Sequence, residues 1–141
     1  MNVDKLLKAL DDDSNETLLN FTTEKIREMT LNILKELHLS KKETIDLFQK
    51  LKNYKYVDEI NELKQGAFLR WIQIDDPSNI QLTKGAIFCE LKINDNGVFC
   101  ICKSFGFPTR HFQLSVDTNL IFQKLTEQEV VLLSALDHLS K

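Results

Sequence analysis

The chain has 141 residues, of which 43% are hydrophobic and 28% charged, with a formal net charge of −3. This is ordinary globular composition for one domain with a real core, or a small domain with a helical appendage, and two prolines with four glycines argue against long disordered stretches. The weak acidic balance excludes recognition of a polyanion by bulk charge.

Residues 3–10 fit a short helix with Val3, Leu6, Leu7 and Leu10 on one side. The acidic run Asp11-Asp12-Asp13-Ser14-Asn15-Glu16 that follows reads as a solvated linker, which leaves this helix loosely docked or packed on another copy. From Glu16 or Thr23 to about Leu37, the spacing of Ile26, Met29, Ile33 and Leu37 marks one helical face, backed by Thr30 and Leu34 and capped by Thr22 or Thr23. Ser40 and Glu43 form a capping-box pattern that starts another helix, with Ile45, Phe48 and Leu51 facing inward. The short link between the two demands an antiparallel helical hairpin.

Residues 54–63 repeat Val57, Ile60 and Leu63 every three positions between wet neighbours, which predicts a short helix. Residues 67–74 are rich in β-formers and apolar on both parities, so they are expected as a central strand covered on both faces. After a loop at residues 75–79, two alternating apolar runs flank Asn96-Gly97, a pair that tolerates the positive φ of a tight turn. In this hairpin Ile87, Cys89, Leu91 and Ile93 share one face, and a two-residue loop sets Val98, Cys100 and Cys102 against it with Lys103 near Glu90; a three-residue loop with a bulge flips that register. Residues 110–116 alternate as a fourth strand, and residues 120–122 fit a short fifth. Thr126 and Glu129 then form a second capping box, ahead of a helix whose apolar residues, from Val130 to Leu139, cover more than one narrow stripe.

The first thirty residues hold no apolar run long enough for a signal peptide and no later run approaches a membrane span, so an intracellular protein is expected. Asn15 and Asn20 match the glycosylation pattern by chance on that reading. Cys89, Cys100 and Cys102 are an odd number of thiols on expected strands, which fits buried cysteines in a reducing compartment. Together with His111 they have metal-ligand residue types, but Cys100 and Cys102 on one strand point along parallel vectors, unlike the spaced pairs that wrap a zinc tetrahedron. No nucleophile motif stands near His38, His111 or His138, and no phosphate-binding glycine loop is present, so no catalytic residue, metal or cofactor is expected. Lys50, Lys52, Tyr54, Lys55 and Tyr56 interleave basic and aromatic side chains as a nucleic-acid surface does, and Arg70 with Trp71 adds a weaker patch. Nearby Glu43, Asp46, Asp58 and Glu59 favour an ordinary solvated surface instead.

The stretches ELKQGAFLRWI (62–72), LTKGAI (82–87) and IFQKLTEQE (121–129) resemble small proteins of unknown function encoded by large DNA viruses of amoebae, marseillevirus-like ones in particular. The resemblance covers roughly residue 56 to the C-terminus. It implies a virion or early-infection protein in the host cytoplasm, with viral or host proteins as further partners, and carries no catalytic residue across.

The expectation is thus an α+β chain: a helical region at 1–55, and at 56–141 an antiparallel sheet of four or five strands, or a small partly open barrel, closed by the C-terminal helix. Its expected role is a non-enzymatic interaction or structural protein, homodimeric through Ile26, Met29, Ile33, Leu37, Ile45 and Phe48. Nucleic-acid binding through the basic and aromatic residues is the alternative.

Overall fold

Ala9, Leu18, Ile26, Leu132 and Leu133, drawn from both ends of the chain, pack into one apolar cluster. A second cluster unites Leu69, Ala86, Phe88, Cys100, Cys102, Leu114 and Ile121. The computed structural model describes residues 3–139, and the two clusters belong to separate units. One is helical, built from the chain up to Lys55 and from Leu125 onward; the other, Tyr56–Lys124, carries the sheet. The class is α+β.

The helical unit contains α1 (Val3–Asp11), α2 (Thr23–Lys35), α3 (Lys41–Lys50) and α4 (Glu127–Leu139). Helix α1 packs along α4, with Ala9 fully buried and Leu6 half-buried, while Val3, Leu7 and Leu10 remain 63, 53 and 51% exposed. The apolar side expected of α1 is therefore split, because only its Ala9 edge meets α4. The acidic run is not a solvated linker. Residues Asp13–Leu18 form a 3-10 helix that buries Leu18 and Asn15. The Asn15 amide donates to the Ala9 carbonyl at 2.9 Å and to Gln128 Oε1 at 3.3 Å, satisfying one of the carbonyls that a helix end leaves open.

In α2 the buried line is Ile26, Thr30 and Leu34, so the inward face is turned from the expected one. Met29 and Ile33 are only half-buried, and Leu37 lies beyond the helix, in a turn that ends at His38 with φ +54°. The caps are as expected: Thr22 accepts from the Lys25 amide, and Ser40 accepts from the Glu43 amide while donating to the Glu43 carboxylate. Facing α2, α3 and its C-cap bury Leu47 and Leu51, whereas Ile45 is 47% exposed, contrary to its expected inward position.

The sheet runs in the order β1-β6-β2-β3-β4-β5 and is antiparallel and open, with β1 at Tyr54–Tyr56, β2 at Phe68–Gln73, β3 at Ala86–Asn94, β4 at Gly97–Lys103, β5 at His111–Ser115 and β6 at Asn119–Lys124. Two corrections concern the strands at one edge. Tyr54–Tyr56 is a strand rather than the start of a helix, and the helical signal shrinks to a single 3-10 turn at Ile60–Glu62. The expected last strand sits inside the sheet, between β1 and β2.

The link from β5 to β6 requires a curled sheet. Four strand spacings of about 4.8 Å would part β5 from β6 by roughly 19 Å in a flat sheet. Ser115 to Asn119 is four Cα steps of about 3.8 Å each, which is too short to bridge that span. Curling places the cluster around Cys100 and Cys102 on the inside, joined by half-buried Trp71, Leu91 and Phe112.

The hairpin register departs from expectation twice. Asn94 pairs with Gly97, so the two-residue loop is Asp95-Asn96, one position earlier than expected, with Asn94 Oδ1 accepting from the Asn96 amide at 2.8 Å. A β-bulge between Phe88 and Glu90 then shifts the ladder, and Lys103 lies opposite Ile87 rather than near Glu90. The bulge reverses the parity of β3: Ala86 and Phe88 are buried, while Ile87 and Cys89 are only half-buried.

Candidate functional site

A cavity of about 320 Å³ opens within the helical unit. One wall is the α2 face Thr23, Ile26, Arg27 and Thr30, which helical spacing stacks on one side. Phe48 and Gln49 of α3, the segment from Leu51 to Tyr54, and Leu125, Val130 and Leu133 complete it. Its floor is tied down by the backbone, where the Leu125 amide donates to the Asn53 carbonyl at 2.9 Å and Asn53 takes φ +72°, a left-handed conformation that Asn tolerates. At the other end Asp137, in the last turns of α4, accepts from the Thr23 amide at 2.8 Å and the Thr23 hydroxyl at 2.6 Å. This carboxylate satisfies an open amide at the N-terminus of α2, where negative charge suits the helix dipole. The only charged side chains in the lining are Arg27 and Lys52, both exposed, and neither is ion-paired among the described residues.

The expected dimer residues do not form one outward face. Ile26 is 5% exposed and belongs to the core of the helical unit, and half-buried Phe48 lines the cavity. Met29, Ile33 and Leu37 are half-buried, and only Ile45 is well exposed. The more exposed apolar line is on α1, where Val3, Leu7 and Leu10 stand four and three residues apart.

The basic and aromatic residues proposed for nucleic acid are likewise dispersed. Lys50 pairs with Asp46 at 3.0 Å, and Lys52 and Tyr54 line the cavity. Lys55 is 7% exposed with its ammonium 4.4 Å from the centre of the Phe21 ring. Tyr56 packs on Phe122, Trp71 packs on Phe112 inside the curled sheet, and Arg70 donates through Nε to the Thr83 carbonyl at 2.8 Å.

The thiols of Cys100 and Cys102 are fully buried, and burial pushes them up from the ordinary 9.0 to about 11 and about 12 respectively, the charges of Cys100 and Cys89 adding to the shift at Cys102. At neutral pH both are protonated and poorly nucleophilic. His111 is exposed on β5, opposite Lys103. Among the described residues no group of three or more His, Cys, Asp or Glu side chains is placed to hold a metal ion, and no helix is long and apolar enough to cross a membrane.

The cavity was not visible in the sequence, because its lining joins three helices and a turn whose apolar residues read individually as core. No protein-family model, curated protein or solved structure matches the chain.

Proposed function

We propose that this is a non-enzymatic interaction protein that pairs with a second copy of itself through the outward face of α1. The observation that carries the reading is the exposure of Val3, Leu7 and Leu10 on a helix that is already docked along α4. An amphipathic helix ordinarily turns such a line inward, and contiguous apolar exposure of this kind is a mark of an association surface. The polar flank of α1 carries Asp4 and Asp11 with Lys5 and Lys8, two acids and two bases, so a second copy meets no net repulsion there. A two-fold pair is the commonest closed arrangement for identical chains.

The protonated, buried thiols and the scattered histidines support a role without catalysis. The resemblance to marseillevirus-like proteins supports a virion or the infected cell's cytoplasm as its setting, with viral or host proteins as further partners. Nucleic-acid binding has less support, since Tyr56 and Trp71 already pack in tilted contact against rings of the sheet unit.

Size-exclusion chromatography with light scattering at tens of micromolar tests the reading. The parent is expected as a dimer, Leu7→Glu/Leu10→Glu as a folded monomer, and Ile45→Glu as a dimer still. A monomeric parent overturns self-association; a monomeric Ile45→Glu moves the contact to the α2–α3 face. Repeating the run with DNA and RNA tests the rival reading.

A further inference from the structure

We propose that the cavity in the helical unit binds a small amphipathic anion, with a medium-chain carboxylate as its type ligand. Its volume, about 320 Å³, lies at the lower end of the range for small-molecule sites, enough for roughly ten waters or one short acyl chain. Most of the wall is apolar, supplied by Ile26, Phe48, Leu51, Leu125, Val130 and Leu133. Water held against such a surface has few hydrogen-bond partners, so its replacement by an alkyl chain is favourable.

The charge of the lining selects the head group. In a protein with a net charge of −3, the two charged residues that border this cavity are both cations, Arg27 and Lys52. No carboxylate lines it to compete, and Asp137, which anchors Thr23 of the wall, is engaged by the amide and hydroxyl of that residue. A carboxylate at the mouth meets the Arg27 guanidinium, which matches carboxylate geometry with paired donors, while Lys52 adds a second positive charge. The side-chain amides of Gln49 and Asn53 offer further polar contacts around an otherwise apolar chain. An acidic or purely hydrocarbon ligand of another kind would leave one part of this surface unmatched: a polyanion has no use for the apolar wall, and an alkane has none for the cations.

Isothermal titration with decanoate, kept below its micelle concentration, and with 1-decanol as the neutral homologue tests the proposal on the full chain. Decanoate is expected to bind saturably at one site per chain and at least ~10-fold more tightly than decanol. Arg27→Glu/Lys52→Glu, both at exposed positions, should remove that preference while leaving the melting temperature unchanged. Val130→Phe, at a rim residue that is 48% exposed, should plug the mouth and abolish binding of both compounds. Absence of saturable binding overturns the proposal, as does equal affinity for acid and alcohol, or decanoate binding that survives the plug. The proposal does not rest on self-association: Leu7→Glu/Leu10→Glu should bind decanoate as the parent does, whatever its oligomeric state.

Discussion

Gly85 takes a φ of +103°, and a Cβ built there would stand 2.6 Å from the Phe68 ring and closer still to the Leu69 carbonyl oxygen. The carbonyl belongs to a central strand and cannot retreat, so Gly85→Ala combines left-handed strain with overpacking and should cost roughly 3 kcal/mol or more. Gly97 also has positive φ, +130°, but the nearest atom to its missing Cβ is the end of the Asp117 side chain at 3.1 Å. Gly97→Val should therefore cost less, roughly 1 to 3 kcal/mol, and denaturant unfolding of the two variants checks the order. Positive φ at Gly97 was legible from the hairpin pattern; the crowding at Gly85 was not, since it arises from a strand sixteen residues earlier in the chain. The thiols make a second prediction at this scale. Their folded values, about 11 for Cys100 and about 12 for Cys102, lie above the ordinary 9.0, so their contribution to stability is complete below pH 9 and is lost as pH rises toward 11 and 12. Each thiol removes up to ~1.4 kcal/mol per pH unit in that window. The double variant Cys100→Ala/Cys102→Ala should start less stable but show a flatter urea midpoint between pH 9 and 11; parallel curves would remove the thiols from the account.

Helix starts were the most legible elements, because a cap and its partner lie three residues apart and need nothing else. Thr126 with Glu129 closes the full reciprocal capping box that the sequence pattern requires, while Ser40 caps the Glu43 amide and gives its hydroxyl proton to the Glu43 carboxylate. Ser40→Ala should cost about 1 kcal/mol and lower the melting temperature without changing the fold, because the cap on α3 is exposed and its loss leaves the Glu43 amide to water. A loss near zero would mean that α3 is held by the packing of Leu47 and Leu51 alone. Helix faces were less legible than helix starts. Met29 and Ile33 are as apolar as Ile26 and Leu34, and the choice between the two lines was made by what α2 packs against. The same holds for β3, where alternation was read correctly until the bulge at Cys89 reversed it, and one extra residue in a strand leaves no mark in hydropathy.

At the scale of the whole chain, the helical unit takes the residues up to Lys55 and those from Leu125 onward, so α4 is grouped with the N-terminal helices. Deleting residues 125–141 should thus collapse the helical unit, since it removes Leu132 and Leu133 from the cluster around Ala9 and Ile26. The helical signal in circular dichroism should fall by more than the thirteen residues of α4 account for, while Cys100 and Cys102 stay protected from thiol reagents inside the sheet. Retained helicity, or rapid labelling of all three thiols, would contradict the division. The sequence by itself determined the α+β class, the caps, the hairpin and most strands, because these depend on side-chain alternation and on partners within a few residues. Tertiary structure alone decided that β6 enters between β1 and β2, that Leu7 and Leu10 of α1 face outward, and that Asp137 anchors Thr23 beside a cavity. Those outcomes rest on contacts between residues up to more than a hundred positions apart, and apolar periodicity says that a face is buried without saying against what.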